Sequence, residues 1–106
     1  MKRFILVDLN DTEKFSSEAE ARARLDEWID YSRKQRMESR ADADPETIAR
    51  WDAEEDFYSQ RDDIAGQIRL YAIDLDVYEG DPDAFPEEDL HGCERLETFN
   101  YNQLRE

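Results

Sequence analysis

One cysteine, one histidine, three glycines and three prolines occur in 106 residues, and no uninterrupted apolar run exceeds four residues. Each scarcity excludes something. A lone Cys93 cannot form an intramolecular disulfide, and this usage suits a reducing compartment. Runs as short as Phe4–Val7 cannot supply the core of a secretory signal, still less the roughly 20 apolar residues of a membrane span. His91 stands two residues before Cys93 in "HGC", with no third residue in sequence to orient a Cys–His pair. The surrounding carboxylates would also weaken the thiolate. Two such residues fall short of the four ligands of a structural zinc site. There is no Gly-rich phosphate loop, Walker pattern or His-Glu-x-x-His. No enzyme activity and no cofactor are expected.

Positive charge is scarce too: 14 Lys and Arg face 29 Asp and Glu, for a net charge of −15. Direct binding to nucleic acid or an anionic membrane is therefore disfavoured, and a cytoplasmic protein is expected. A mean hydropathy of −1.01 lies near the boundary of disorder. Twelve aromatic residues inside periodic segments argue instead for one folded domain over residues 1–106, with a thin core.

The negative charge is regional. Residues 1–41 are net neutral, residues 42–63 carry −7, residues 64–73 carry +1, residues 74–97 carry −9, and the remainder cancels. Salt adaptation would spread carboxylates over the whole surface, and the neutral N-terminal segment speaks against it. That neutral half also leaves room for a homodimer.

Periodicity predicts the elements. "KRFILVDL" (Lys2–Leu9) reads as a strand and "NDTEKF" as a loop. Ser17 and Glu20 fit a capping box opening a helix to about Ser39, with Ala21, Leu25, Trp28, Ile29 and Ser32 on its core face. Asp44 and Pro45 open a second helix to about Ala65, ended by Gly66. It carries two apolar lines, Ile48/Trp51/Tyr58 and Ala53/Phe57/Ile64. "QIRLYAIDLDVYE" predicts a strand with Tyr71, Ile73, Leu75 and Val77 inward and Asp74, Asp76 and Tyr78 outward. Ile68, Leu70 and Ala72 have the opposite parity, which requires a bulge near Ala72 or cover on both faces. Residues 94–104 predict a last strand. The expected fold is α+β, order β-α-α-β-β, a small antiparallel sheet packed on two helices.

Two acidic rows emerge. Asp52, Glu55, Asp56, Asp62 and Asp63, with Ser59 between, recur at helical steps of three and four, and Asp74, Asp76, Glu79, Asp81, Asp83, Glu87, Glu88 and Asp89 crowd into residues 74–90. Neither register of the second row matches an EF-hand: counted from Asp74 or Asp81, positions five and six are Tyr78/Glu79 or Phe85/Pro86. Arg33, Lys34, Arg36 and Arg40 precede the helix–helix turn and would reach some of the first row, leaving most of the excess unpaired. Two acids per helical turn place a charge every ~2.7 Å of axis, against about 1.7 Å in duplex DNA.

In size, charge and the clusters "WDAEEDFYSQRDD" and "DLDVYEGDPDAFPEED", the chain resembles small acidic α+β proteins of phages and mobile elements. Several of these, anti-CRISPR and anti-restriction proteins among them, are nucleic-acid mimics. The resemblance implies an inhibitor in the host cytoplasm. It would bind the positive groove of a defence nuclease or CRISPR effector, a basic nucleic-acid-binding protein or ribonucleoprotein, through both rows. An immunity protein or antitoxin capping a basic toxin, or a general acidic interaction domain, fits the same charge.

Overall fold

In the computed structural model, which describes residues 1–105, the branched run Lys2–Val7 forms strand β1. Asp8 then reverses the chain: its Oδ1 accepts the backbone amides of Asn10 and Asp11, both at 2.8 Å. Thr12–Phe15 returns as strand β2, paired antiparallel with Phe4 opposite Phe15. This segment, a loop on sequence grounds, is an edge strand too short and polar to show a strand period.

Ser17 caps helix α1 (Glu18–Ala41) by accepting the Glu20 amide at 3.4 Å, and Asp44 caps helix α2 (Pro45–Gln60) by accepting the Thr47 amide at 2.8 Å. α2 stops five residues short of Ala65. Asp62 adopts the left-handed conformation (φ 53°), which Asp tolerates better than most residues, and Asp63 caps a 3-10 turn at Ile64–Gly66. Strand β3 (Gln67–Asp74) follows, then β4 (Cys93–Asn100) and a closing 3-10 turn, Tyr101–Arg105. The last strand thus ends four residues before the expected position, and the buried Leu104 belongs to the turn.

The four strands form one antiparallel sheet in the order β2-β1-β3-β4. The protein is therefore α+β in the expected order, with β2 added. Leu70 pairs with Glu97 and Tyr71 with Arg95, so the extra residue is Leu96 on β4; the irregularity lies slightly before the expected Ala72. β3 also ends earlier than predicted. The Asp74 carbonyl accepts the amides of Val77 (3.1 Å) and Tyr78 (2.8 Å), a turn that lifts Leu75–Tyr78 out of the ladder. Asp74 and Asp76 are accordingly turn residues, not the wet face of a strand.

Both sheet faces are covered, which settles the opposite parities of β3. Phe4, Leu6, Ile68, Leu70 and Ala72 pack beneath Ala21 and Leu25 of α1, with Trp28 and Ile29 alongside. On the other face Ile5, Val7, Tyr71 and Ile73 lie under Ile64, Leu75 and Tyr78, so the acidic segment after β3 is a lid on the second half of the core. Gly92 returns that lid to β4 at φ +88°, where a Cβ would stand 2.8 Å from Tyr78 backbone atoms. The molecule measures 51 × 25 × 19 Å, and its radius of gyration is 15.4 Å, against about 13 Å for a compact domain of this length. The excess reflects α1, whose 24 residues run about 36 Å. No residue of α2 is fully buried.

Candidate acidic interface

The first acidic row is divided by the structure. Arg36 and Arg40 lie four apart on one face of α1 and meet Asp52 and Glu55 on α2. Arg36 Nη2 donates to Asp52 at 2.8 Å and its Nε to Glu55 at 3.2 Å; Arg40 Nη2 reaches both carboxylates at 3.3 Å. Arg105, from the closing turn, donates to Glu55 (3.2 Å) and to the Asp52 carbonyl (2.7 Å), and stands 3.2 Å from Asp56. Asn102 adds a bond to Asp56 at 3.2 Å. Three guanidiniums thus neutralise three carboxylates, and Glu55, Arg36 and Arg40 retain only 13, 14 and 15% of their side-chain exposure. Arg40 also lies over the Trp51 ring at 5.4 Å.

This arrangement corrects the orientation expected for α2. The acid stripe turns inward, while Ala53 and Phe57, read as an apolar line, turn to solvent, and Ile64 leaves the helix to cover the sheet. Long arginine stems allow the inversion, because they carry charge across the gap between helices. Asp52 and Glu55 therefore spend their charge on arginines of the same chain, while Asp56, facing Arg105, keeps 44% of its side-chain exposure. Arg105 escaped sequence reading because it sits in a segment of zero net charge, 49 to 53 residues from its partners.

Asp62 and Asp63 lie beyond the helix. Arg95 on β4 grips Asp62 through Nη1 (2.7 Å) and Nη2 (2.8 Å), Gln67 adds a bond at 3.0 Å, and Arg69 stands 3.7 Å away. The same Arg95 holds Glu88, so it links the end of the first row to the second. The Arg95 hydrogen bond, followed by that of Gln67, holds Asp62 well below the usual carboxylate range. Arg95 likewise lowers Glu88. Asp63 accepts the Ala65 amide at 3.0 Å.

In the lid, Asp76 meets the Met1 amino group at 2.7 Å and Asp74 lies 4.0 Å from it. Asp83 meets Arg3 (3.2 Å) and Lys14 (3.3 Å). Asp81 caps the Asp83 amide at 2.9 Å, and the Tyr78 hydroxyl accepts the Glu87 amide at 3.2 Å. Among the described residues no cation comes within 4.0 Å of Glu79, Asp81, Glu87 or Asp89, and all four are exposed. Val77 (44% exposed) precedes them in sequence and Phe85 (47%) lies among them.

Cys93 is half-buried, and burial, then the Glu88 charge, push its thiol up, away from the reactive thiolate. His91 is exposed. Among the described residues no three His, Cys, Asp or Glu side chains are grouped to hold a metal, and no helix is long and apolar enough to cross a membrane. No family model, curated protein or solved structure matches the chain.

Proposed function

We propose that the protein is an inhibitor that occupies the phosphate-binding groove of a basic nucleic-acid-binding protein or ribonucleoprotein, such as a defence nuclease or CRISPR effector, in the bacterial cytoplasm. The supporting observation is the set Glu79, Asp81, Glu87 and Asp89: exposed carboxylates without a cation, on a lid tied down by Tyr78, Asp83 and Arg95. With Asp52, Glu55 and Asp56 each paired to an arginine of the same chain, the contact is the lid rather than both rows. Asp62, Asp63 and Glu88 border it.

A lid already packed on the sheet loses little conformational entropy on binding. Its charge steers association with a cationic groove and gives a steep salt dependence. Phe85 and Val77 offer apolar anchors beside the charges.

The test is a fourfold variant, Glu79→Gln, Asp81→Asn, Glu87→Gln and Asp89→Asn, whose amides keep the local capping geometry. Wild-type protein is expected to capture from bacterial lysate a basic protein released by salt, and to displace duplex DNA or RNA from it. The variant should compete at least ~10-fold less well, with a shallower salt slope. Equal competition by the variant, or a captured partner indifferent to nucleic acid, would reject the proposal.

A further inference from the structure

A groove of about 440 Å³ lies away from the lid, between the β1–β2 turn and the middle of α1. Asp8, Asp11, Thr12 and Glu13 form one wall; Arg24, Glu27, Trp28, Tyr31 and Ser32 form the other. The α1 residues fall at i, i+3, i+4, i+7 and i+8, so one helix face presents both aromatic rings to the turn. Trp28 is seated against the core, which fixes its indole, whereas Tyr31 is 66% exposed.

The charges in this groove do not balance. Its only base, Arg24, is occupied, donating through Nε to Glu13 (2.8 Å) and through Nη1 to Glu27 (2.5 Å). Two carboxylates remain. Asp8 engages one oxygen with the Asn10 and Asp11 amides, and neither Asp8 nor Asp11 has a cation within 4.0 Å among the described residues.

From the aromatic pair on the α1 wall and the two uncompensated carboxylates facing it, we infer that this groove receives an arginine side chain of a partner protein. A guanidinium is flat and weakly hydrated, stacks on an aromatic face, and offers a fork of donors to carboxylates; an ammonium has the charge without the plane. The volume falls within the range of pre-formed ligand sites and accommodates a single long side chain. The inference does not depend on the lid being an interface, since the two surfaces share no residue.

The experiment uses the whole chain labelled with ¹⁵N and a capped Gly-Arg-Gly peptide as probe, with capped Gly-Lys-Gly as control. Millimolar Gly-Arg-Gly is expected to shift the Trp28 indole N–H and the Asp11 and Thr12 amides. Tyr31→Ala and Asp11→Asn, both at exposed positions, should each weaken binding at least ~3-fold. Gly-Lys-Gly should bind at least ~3-fold more weakly. The fourfold lid variant should bind Gly-Arg-Gly like wild type, which separates this inference from the proposed function. Shifts confined to residues 74–92, an unchanged affinity in either groove variant, or equal binding of the two peptides would overturn it.

Discussion

Replacing Glu55 with alanine is expected to destabilise the fold by about 3 kcal/mol, the low end of the range for breaking a buried ion pair. Glu55 accepts from Arg36, Arg40 and Arg105, and retains 13% of its exposure. Without it, three guanidiniums share Asp52 and Asp56, and a largely desolvated positive charge is left uncompensated. For a domain of this size, that loss lowers the melting temperature by roughly 12–20 °C, measured by far-UV circular dichroism. Glu54, the exposed neighbour, supplies the contrast: its alanine variant should stay within about 0.5 kcal/mol of wild type. Replacing Arg36 and Glu55 together by methionine keeps the remaining charges matched and should fall within about 1 kcal/mol of wild type. A Glu55→Ala melt indistinguishable from Glu54→Ala would mean that water screens the cluster.

Stability should fall steeply above pH 10. Burial pushes Tyr71 up to about 12, and burial followed by the Asp8 charge pushes Tyr101 up to about 12. Between the ordinary tyrosine value and 12, the unfolded chain releases these protons while the folded one keeps them. The native state then binds more protons, so the tyrosine contribution is complete below pH 10 and is lost as pH rises through the folded value; the raised Cys93 thiol acts in the same sense from the ordinary thiol range upward. Each tyrosine contributes about 1.4 kcal/mol per pH unit, nearly 3 kcal/mol together. A loss accumulating over two units approaches the whole stability of an ordinary small domain.

The acid side behaves in the opposite sense. Asp62 and Glu88 are lowered by Arg95, so their contribution is present above the ordinary carboxylate range and fades as pH falls through their folded values. Both remain more than a third exposed (57 and 38%), and solvent screening holds their joint effect to about 1 kcal/mol. Urea midpoints measured from pH 3 to 12 should give a gentle acid shoulder and a sharp alkaline edge. Tyr71→Phe should halve the alkaline slope; an unchanged slope would show that Tyr71 ionises in the folded state.

What could be read from the sequence is what local chemistry dictates. The Ser17 and Asp44 caps, the strand-forming runs of β1 and β3, and the α+β order depend on neighbours within a few residues. What could not be read depends on distant partners. β2 is held as a strand by Phe4–Val7, and TEKF carries no period of its own. The inward roll of α2 depends on Arg36 and Arg40 across the gap, and on Arg105 about 50 residues away. The same holds for the acids: a row visible as charge spacing says nothing about which carboxylates meet a base. Asp52, Glu55 and Asp56 do, whereas Glu79, Asp81, Glu87 and Asp89 have none within reach among the described residues.

The pairing of β1 with β3 has a kinetic consequence. Residues 2–7 join residues 67–74 at the centre of the sheet, so the core forms only after a loop of about 60 residues closes, an entropic barrier near 4 kcal/mol. The individual helices inside that loop are local and can form in microseconds, ahead of their docking on each other. Refolding should therefore be limited to milliseconds by the meeting of the two central strands, with the α2 cluster consolidating afterwards. In stopped-flow traces, Glu55→Ala would then accelerate unfolding while leaving the refolding rate nearly untouched.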